Sequence, residues 1–264
     1  MNDLSPYFDH LDDFAHKELF DGIETLWEPL QTLAASIATL LTNLPSTVER
    51  VQALDGCTLI ARDTLSRFPE AACHVERWIE ISQPTYIEPF GIVLGAGTVL
   101  EPSAIIKGPA VIGSQCEIRQ GAYLRGNVVT GDRCVIGHAT EVKNSILMNH
   151  SEAGHFNYIG DSILGSYVNL GAGAKLANLE FRSADNKVKG AFPPIPLELA
   201  NGALVTGPEK FGAVLGDYVE IGCNAVLCPG VFLGKDSKVS PNQTVRKGVY
   251  PPQSLLFPRD RHLK

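Results

Sequence analysis

No excess of positive charge, no Cys-x-x-Cys pair and no apolar run long enough to cross a bilayer occurs in these 264 residues. Each absence excludes something. With 22 Lys and Arg against 29 Asp and Glu, a formal net charge of -7, the chain lacks the basic surplus from which nucleic-acid surfaces are built, so no nucleic-acid partner is expected. Any anionic ligand must then be met by local cations. The six cysteines show no metal-ligand spacing, which predicts buried free thiols in a reducing compartment. The N-terminus is acidic and carries no basic segment followed by an apolar stretch, so a cytoplasmic protein without membrane insertion is expected.

What the chain does have is a period. Stepping by six from Leu94 lands on Leu100, Ile106, Ile112, Ile118, Leu124, Thr130, Ile136, Val142 and Met148, and only Thr130 is not a large aliphatic residue or Met. The period returns as Leu215, Ile221, Leu227, Leu233, Val239 and Val245. Four residues after each register position the side chain is usually small or compact, as at Thr98, Ala104, Cys116, Cys134 and Ala225. A short fixed period with one inward aliphatic per step predicts an all-β fold, a parallel β-solenoid whose strands bury each aliphatic against its equivalents above and below. Each such burial contributes about 1.5–3 kcal/mol, so the stack suffices as a core.

The period fails twice. Between Met148 and Tyr158 the step is ten residues, after which Tyr158, Leu164, Leu170 and Leu176 resume it; a break of this kind re-aims side chains and marks a candidate site. From 179 to 212 it disappears into a Pro-containing insertion, read as a loop ordered at a subunit interface or over a ligand. Residues 1–89 form an N-terminal extension. In it Leu30, Leu33, Ala34, Ile37, Ala38, Leu40 and Leu41 give a helix one apolar face, a cap for the open end of the solenoid or a contact for a neighbouring subunit. A strand over Cys57–Ala61 and a helix from about Pro69 to Arg77 are predicted before the solenoid proper, 90–250, and a tail, 251–264, closes the chain.

Within the solenoid, Ala153, Gly154, His155 and Tyr158 form an A-G-H-x-x-Y motif, flanked by Y-L-R-G-N at Arg125, E-V-K at Lys143 and V-N-x-G-A-G at Asn169. An imidazole, with an unperturbed pKa near ~6.5, is suited to accept a proton from an attacking amine at neutral pH. The run from Gly137 to Leu179 closely resembles the acetyltransferase domain of the bifunctional glucosamine-1-phosphate N-acetyltransferase/N-acetylglucosamine-1-phosphate uridyltransferase family, nearest to the archaeal sugar-1-phosphate nucleotidyltransferases that carry it. The resemblance implies a left-handed parallel β-helix with three hexads to a coil, a homotrimer with sites between subunits, and acetyl-CoA as co-substrate without an obligatory metal. It implies His155 as general base, Arg125 and Lys143 as ligands of the sugar phosphate, and Tyr158, Asn169 and Asn178 as sugar contacts. Lys187 and Lys189 are its candidates for a further substrate lysine. Acetyl-CoA would run along Gly171, Ala172, Gly173 and Ala174, with Arg246 and Lys247 near its phosphates.

The chain departs from that family at Asn178, Leu179, Glu180 and Phe181, where the bacterial pattern reads Asn-Tyr-Asp-Gly, and it has no glycine-rich phosphate loop in its N-terminal part, so nucleotidyl transfer is not expected. The expected activity is N-acetylation of glucosamine 1-phosphate or a related amino-sugar phosphate in UDP-N-acetylglucosamine biosynthesis. Two alternatives stand beside it. One is a non-catalytic trimeric module binding sugar phosphates or nucleotide sugars. The other is a zinc carbonic anhydrase of the γ type, using His138, His150 and His155.

Overall fold

The six-residue period becomes a coil of three short strands separated by three corners. Ile92–Leu94 lies on a first face, Val99–Leu100 on a second and Ile105–Lys107 on a third, and Ala110–Ile112 returns to the first. Coils stack in parallel register, Leu94 against Ile112, Leu100 against Ile118 and Ile106 against Leu124. The computed structural model describes residues 3–61, 71–198 and 204–257; its three faces are sheets of ten, nine and nine strands. The inward aliphatics form one continuous buried column. This is the parallel β-helix that the sequence predicts, with the helical cap and the long insertion in place.

The exception in the ladder has a reason. Thr130 is fully buried, and its hydroxyl accepts the Gly113 N–H at 3.0 Å. Thr98 works similarly, donating to the Gly113 carbonyl at 2.7 Å and accepting from the Cys116 N–H at 3.1 Å. Both hydroxyls satisfy corner peptides that an aliphatic would leave buried and unpaired.

Register departs from the simple count at the expected break. Ile136 pairs with Ala153, Val142 with Ile159 and Leu147 with Leu164. The inward residues are therefore Leu147, Ala153 and Ile159, not Met148 and Tyr158. Met148 points outward into a second cluster. In place of a ten-residue step there are two five-residue ones, Val142 to Leu147 and Ile159 to Leu164, each one residue short at the corner between the third and first faces. The sequence count missed this because Met148 is as apolar as the true register residue beside it.

The insertion leaves from that same corner. It contains a short helix, Ala184–Lys189, and a hairpin of Pro196–Glu198 with Leu204–Thr206. Ile195, Leu197 and Phe211 return to the body and are buried.

The N-terminal helix, Glu28–Thr42, starts with Pro29 in its first turn, where no backbone donor is lost. The Glu28 carboxylate accepts the Glu24 N–H at 2.8 Å. Its apolar stripe, Leu30, Leu33 and Ile37, packs with Phe14, Leu26 and Trp27 onto Val93, Val111, Val129, Ile146, Ile163, Val214 and Phe232. The cap therefore lies along the flank of the first face, not over an end. Polar ties fix it there: Asp217 accepts the N–H groups of Asp9 (2.7 Å) and His10 (2.9 Å), and Asn149 donates to the Asp13 carbonyl at 2.9 Å.

The N-terminal end is closed instead by strands that run backwards. Ala71–Val75 pairs antiparallel with Ile105–Lys107, and Thr85–Ile87 with Ile92–Leu94. The helix expected from about Pro69 to Arg77 is thus a strand over Ala71–Val75; Cys73 and Val75 pack inward on the first coil. Cys57–Ala61 is a strand as expected. All six cysteines are free, but only Cys73, Cys116 and Cys134 are buried, while Cys223 is exposed.

Candidate functional site

Arg125 and Lys143 end successive strands of the third face, Tyr123–Arg125 and Glu141–Lys143, so the stacking of coils sets the two cations one above the other. Arg125 forms an ion pair with Glu141 at 2.6 Å, and that hydrogen bond raises its pKa. Lys143 Nζ lies 3.2 and 3.1 Å from the two oxygens of Asp161. The buried Asp161 also accepts from Asn144 Nδ2 at 2.9 Å and from Asn178 Nδ2. Asn178 in turn accepts the Tyr158 hydroxyl at 3.2 Å. Burial first, then the carboxylates of Glu141 and Asp161, push the Tyr158 phenol upward, so it is a donor at neutral pH.

The two shortened corners supply this network, Asn144 and Asp161 taking φ of 46° and 48°. Gly160 makes it possible: a Cβ there would lie 2.6 Å from the Tyr158 oxygen and 2.8 Å from Asn178 Nδ2.

His155 stands at the next corner along the coil, between the second and third faces. Its ring is exposed and stacks on that of His138 in the preceding coil, centroids 5.5 Å apart. Its backbone is clamped: the N–H donates to Asn157 Oδ1 at 3.1 Å and the carbonyl accepts from Gly173 N–H at 2.9 Å. Asn157 is buried, and its Nδ2 donates to the Gly171 carbonyl at 2.8 Å. Thus one inward amide ties the His155 corner to the Gly171–Gly173 corner of the following coil.

There a Cβ on Gly171 would come 2.6 Å from the Cys223 nitrogen, which explains the glycine by coil stacking. Ala172 is small and leaves the step beside His155 low, and among the described residues its N–H has no acceptor. Ala174 occupies the compact inward position.

The structure thus brings together Arg125, Lys143, Tyr158 and Asn178 on the third face. His155 sits at the corner where that face begins, and the cations lie at the other end of its strands. Asn169 is elsewhere: it is on the second face, donating to Glu220 at 2.8 Å. Lys187 and Lys189 are on the exposed helix of the insertion and make no ion pair among the described residues. Lys247 is paired with Glu180 at the base of the insertion, and Arg246 lies near the C-terminal end of the solenoid.

The three imidazoles of the zinc alternative do not converge, because His150 lies at the corner between the first and second faces, stacked at 4.5 Å on Tyr167. Among the described residues no group of three or more His, Cys, Asp or Glu is placed to hold a metal. Asn144, Asn157, Gly160 and Asp161 escaped the sequence reading; the shortened spacing at two corners was the signal that could have found three of them.

Over residues 106–255 the chain matches the GMPPB C-terminal domain family. It is 36% identical over 125 residues to the "Bifunctional protein GlmU" of Methanococcus vannielii, which covers 47% of this chain and 28% of that one. It is 34% identical over 114 residues to the "Bifunctional sugar-1-phosphate nucleotidylyltransferase/acetyltransferase" of Sulfurisphaera tokodaii, covering 43% of this chain and 26% of that one. The matched part is therefore about a quarter of the length of these curated relatives. Among solved structures, AntD, an N-acyltransferase from Bacillus cereus, is similar at 16% identity over 62% of this chain and 74% of that one, with a TM-score of 0.30.

Proposed function

This chain belongs to the GMPPB C-terminal domain family, and from that premise we propose that it is an acetyl-CoA-dependent N-acetyltransferase acting on glucosamine 1-phosphate or a related amino-sugar phosphate, in UDP-N-acetylglucosamine biosynthesis. The observation that carries the proposal is an exposed imidazole on a rigid corner, one face-width from paired cations and a phenol–amide pair. The names of the bifunctional relatives, which include an acetyltransferase, agree with it.

In this reading Arg125 and Lys143 exchange their carboxylate partners for the acceptor's phosphate, Arg as a fork and Lys as a point charge. Tyr158 and Asn178 orient the sugar hydroxyls, and His155 removes the proton from the amine. Acetyl-CoA, when bound, supplies the thioester carbonyl that the amine attacks, the C–S bond breaking as the C–N bond forms. The unengaged Ala172 N–H would meet the charge developing on the carbonyl oxygen. The exposed His155 corner and the second-face Asn169 suit a site completed by a neighbouring copy, which makes a homotrimer part of the proposal, as is a cytoplasmic location. No helix among the described residues is long and apolar enough to cross a membrane.

The test is thiol release from acetyl-CoA with glucosamine 1-phosphate. Turnover that falls about 10²–10⁴-fold in His155→Ala, with little change in KM, supports the assignment. Absence of turnover in the wild type, or unchanged turnover in the variant, removes it.

A further inference from the structure

In the coil after that of His155, the third face presents Lys175. The strand Lys175–Leu176 pairs in parallel with Tyr158–Gly160, Lys175 in register with Tyr158, so its backbone lies about 4.8 Å from that of the tyrosine. The Tyr158 hydroxyl is bonded to Asn178. The Lys175 ammonium turns the other way, back to the corner, and donates to the Gly173 carbonyl at 2.7 Å. Gly173 is also the residue whose N–H donates to the His155 carbonyl at 2.9 Å. The lysine is therefore tied to the corner that rests directly on that of His155.

Arg125 and Lys143, at the far end of the face, each have a carboxylate partner, Glu141 and Asp161. Lys175 is exposed and makes no ion pair with any described residue, in a chain of net charge -7. A backbone carbonyl leaves its charge uncompensated and two of its three N–H bonds still to give. Ala172 and Gly173 put no long side chain in the way; Gly173, at φ 75°, has no room for one, because a Cβ there would collide with Asn224 Oδ1.

We propose that Lys175 is a further catalytic residue, its ammonium meeting, together with the Ala172 N–H, the negative charge that develops on the thioester oxygen. This rests on the acetyl-transfer reading. As the amine nitrogen bonds to the carbonyl carbon, the C=O electron pair moves onto oxygen and the amine proton passes to His155. When the pair returns, the C–S bond breaks and coenzyme A leaves as a thiolate, which takes the proton from the imidazolium. The ammonium gives up no proton in the step. With the substrates over the corner and water displaced, its charge acts through a lower dielectric than that of solvent.

Initial rates of thiol release from acetyl-CoA with glucosamine 1-phosphate, for wild type, Lys175→Met, Lys175→Arg and His155→Ala, test it. Lys175→Met keeps an unbranched side chain and removes the charge; kcat falls about 10–10²-fold while both KM values stay within about twofold, and Lys175→Arg recovers most of the loss. An unchanged Tm in Lys175→Met shows that the corner is intact. A wild-type kcat in Lys175→Met, a loss confined to KM, or an arginine variant as slow as the methionine one overturns the role of Lys175, and a slow His155→Ala beside it leaves the transferase reading standing. No turnover in the wild type overturns both.

Discussion

The Asp161 carboxylate holds the lysine, two amides and, through Asn178, the phenol of the proposed acceptor site. Asp161→Asn keeps the shape and removes the charge, leaving Lys143 unpaired in a mostly buried setting. We expect a loss of about 1–3 kcal/mol in urea unfolding and a weaker hold on the sugar phosphate. Gly160→Ala makes a sharper test, because the added methyl intrudes on the Tyr158–Asn178 contact; KM for the acceptor should rise several-fold while the KM for acetyl-CoA stays level. Of the proposed site, His155, Arg125, Lys143, Tyr158 and Asn178 are the residues that motif resemblance singles out in the sequence. Asp161, Asn157 and Gly160 are not among them, because they act through contacts between coils, among residues 14 to 18 apart in sequence.

The helix Glu28–Thr42 illustrates how far periodicity reaches and where it stops. Its apolar stripe was plain in the sequence, but the surface it covers, the outward row Val93 to Phe232, was read only as strand. Leu33 is fully buried, so Leu33→Ala should cost about 2–5 kcal/mol in denaturant unfolding; a cost near zero would mean that the cap does not dock. Tyr7, in the same segment, has its phenol pushed up to about 12 by burial. The folded-state pKa is raised, so between pH ~10 and ~12 the unfolded chain ionises first and stability falls by up to about 1.4 kcal/mol per pH unit. Tyr7→Phe should be spared that part of the alkaline loss, as read from the difference between wild-type and variant unfolding curves. The fold class needed only the period, which two misassigned neighbours, Met148 for Leu147 and Tyr158 for Ile159, did not disturb. The placement of the site did need the register, because the short corners are the places where Asn144 and Asp161 enter.

As a whole, the chain is a three-sided column whose first face is covered by the N-terminal segment and whose other two faces meet at the His155 corner. If the site is shared between copies, light scattering should give a mass about three times 28.5 kDa, and a monomer would leave Asn169 without a part in the chemistry. The decisive measurement is a crystal structure of the protein with acetyl-CoA and an amino-sugar phosphate. The account predicts the thioester carbonyl beside the His155 ring, its oxygen facing the Ala172 N–H, and the phosphate held by Arg125 and Lys143. A thioester bound away from that corner, or a phosphate held by neither cation, would contradict it.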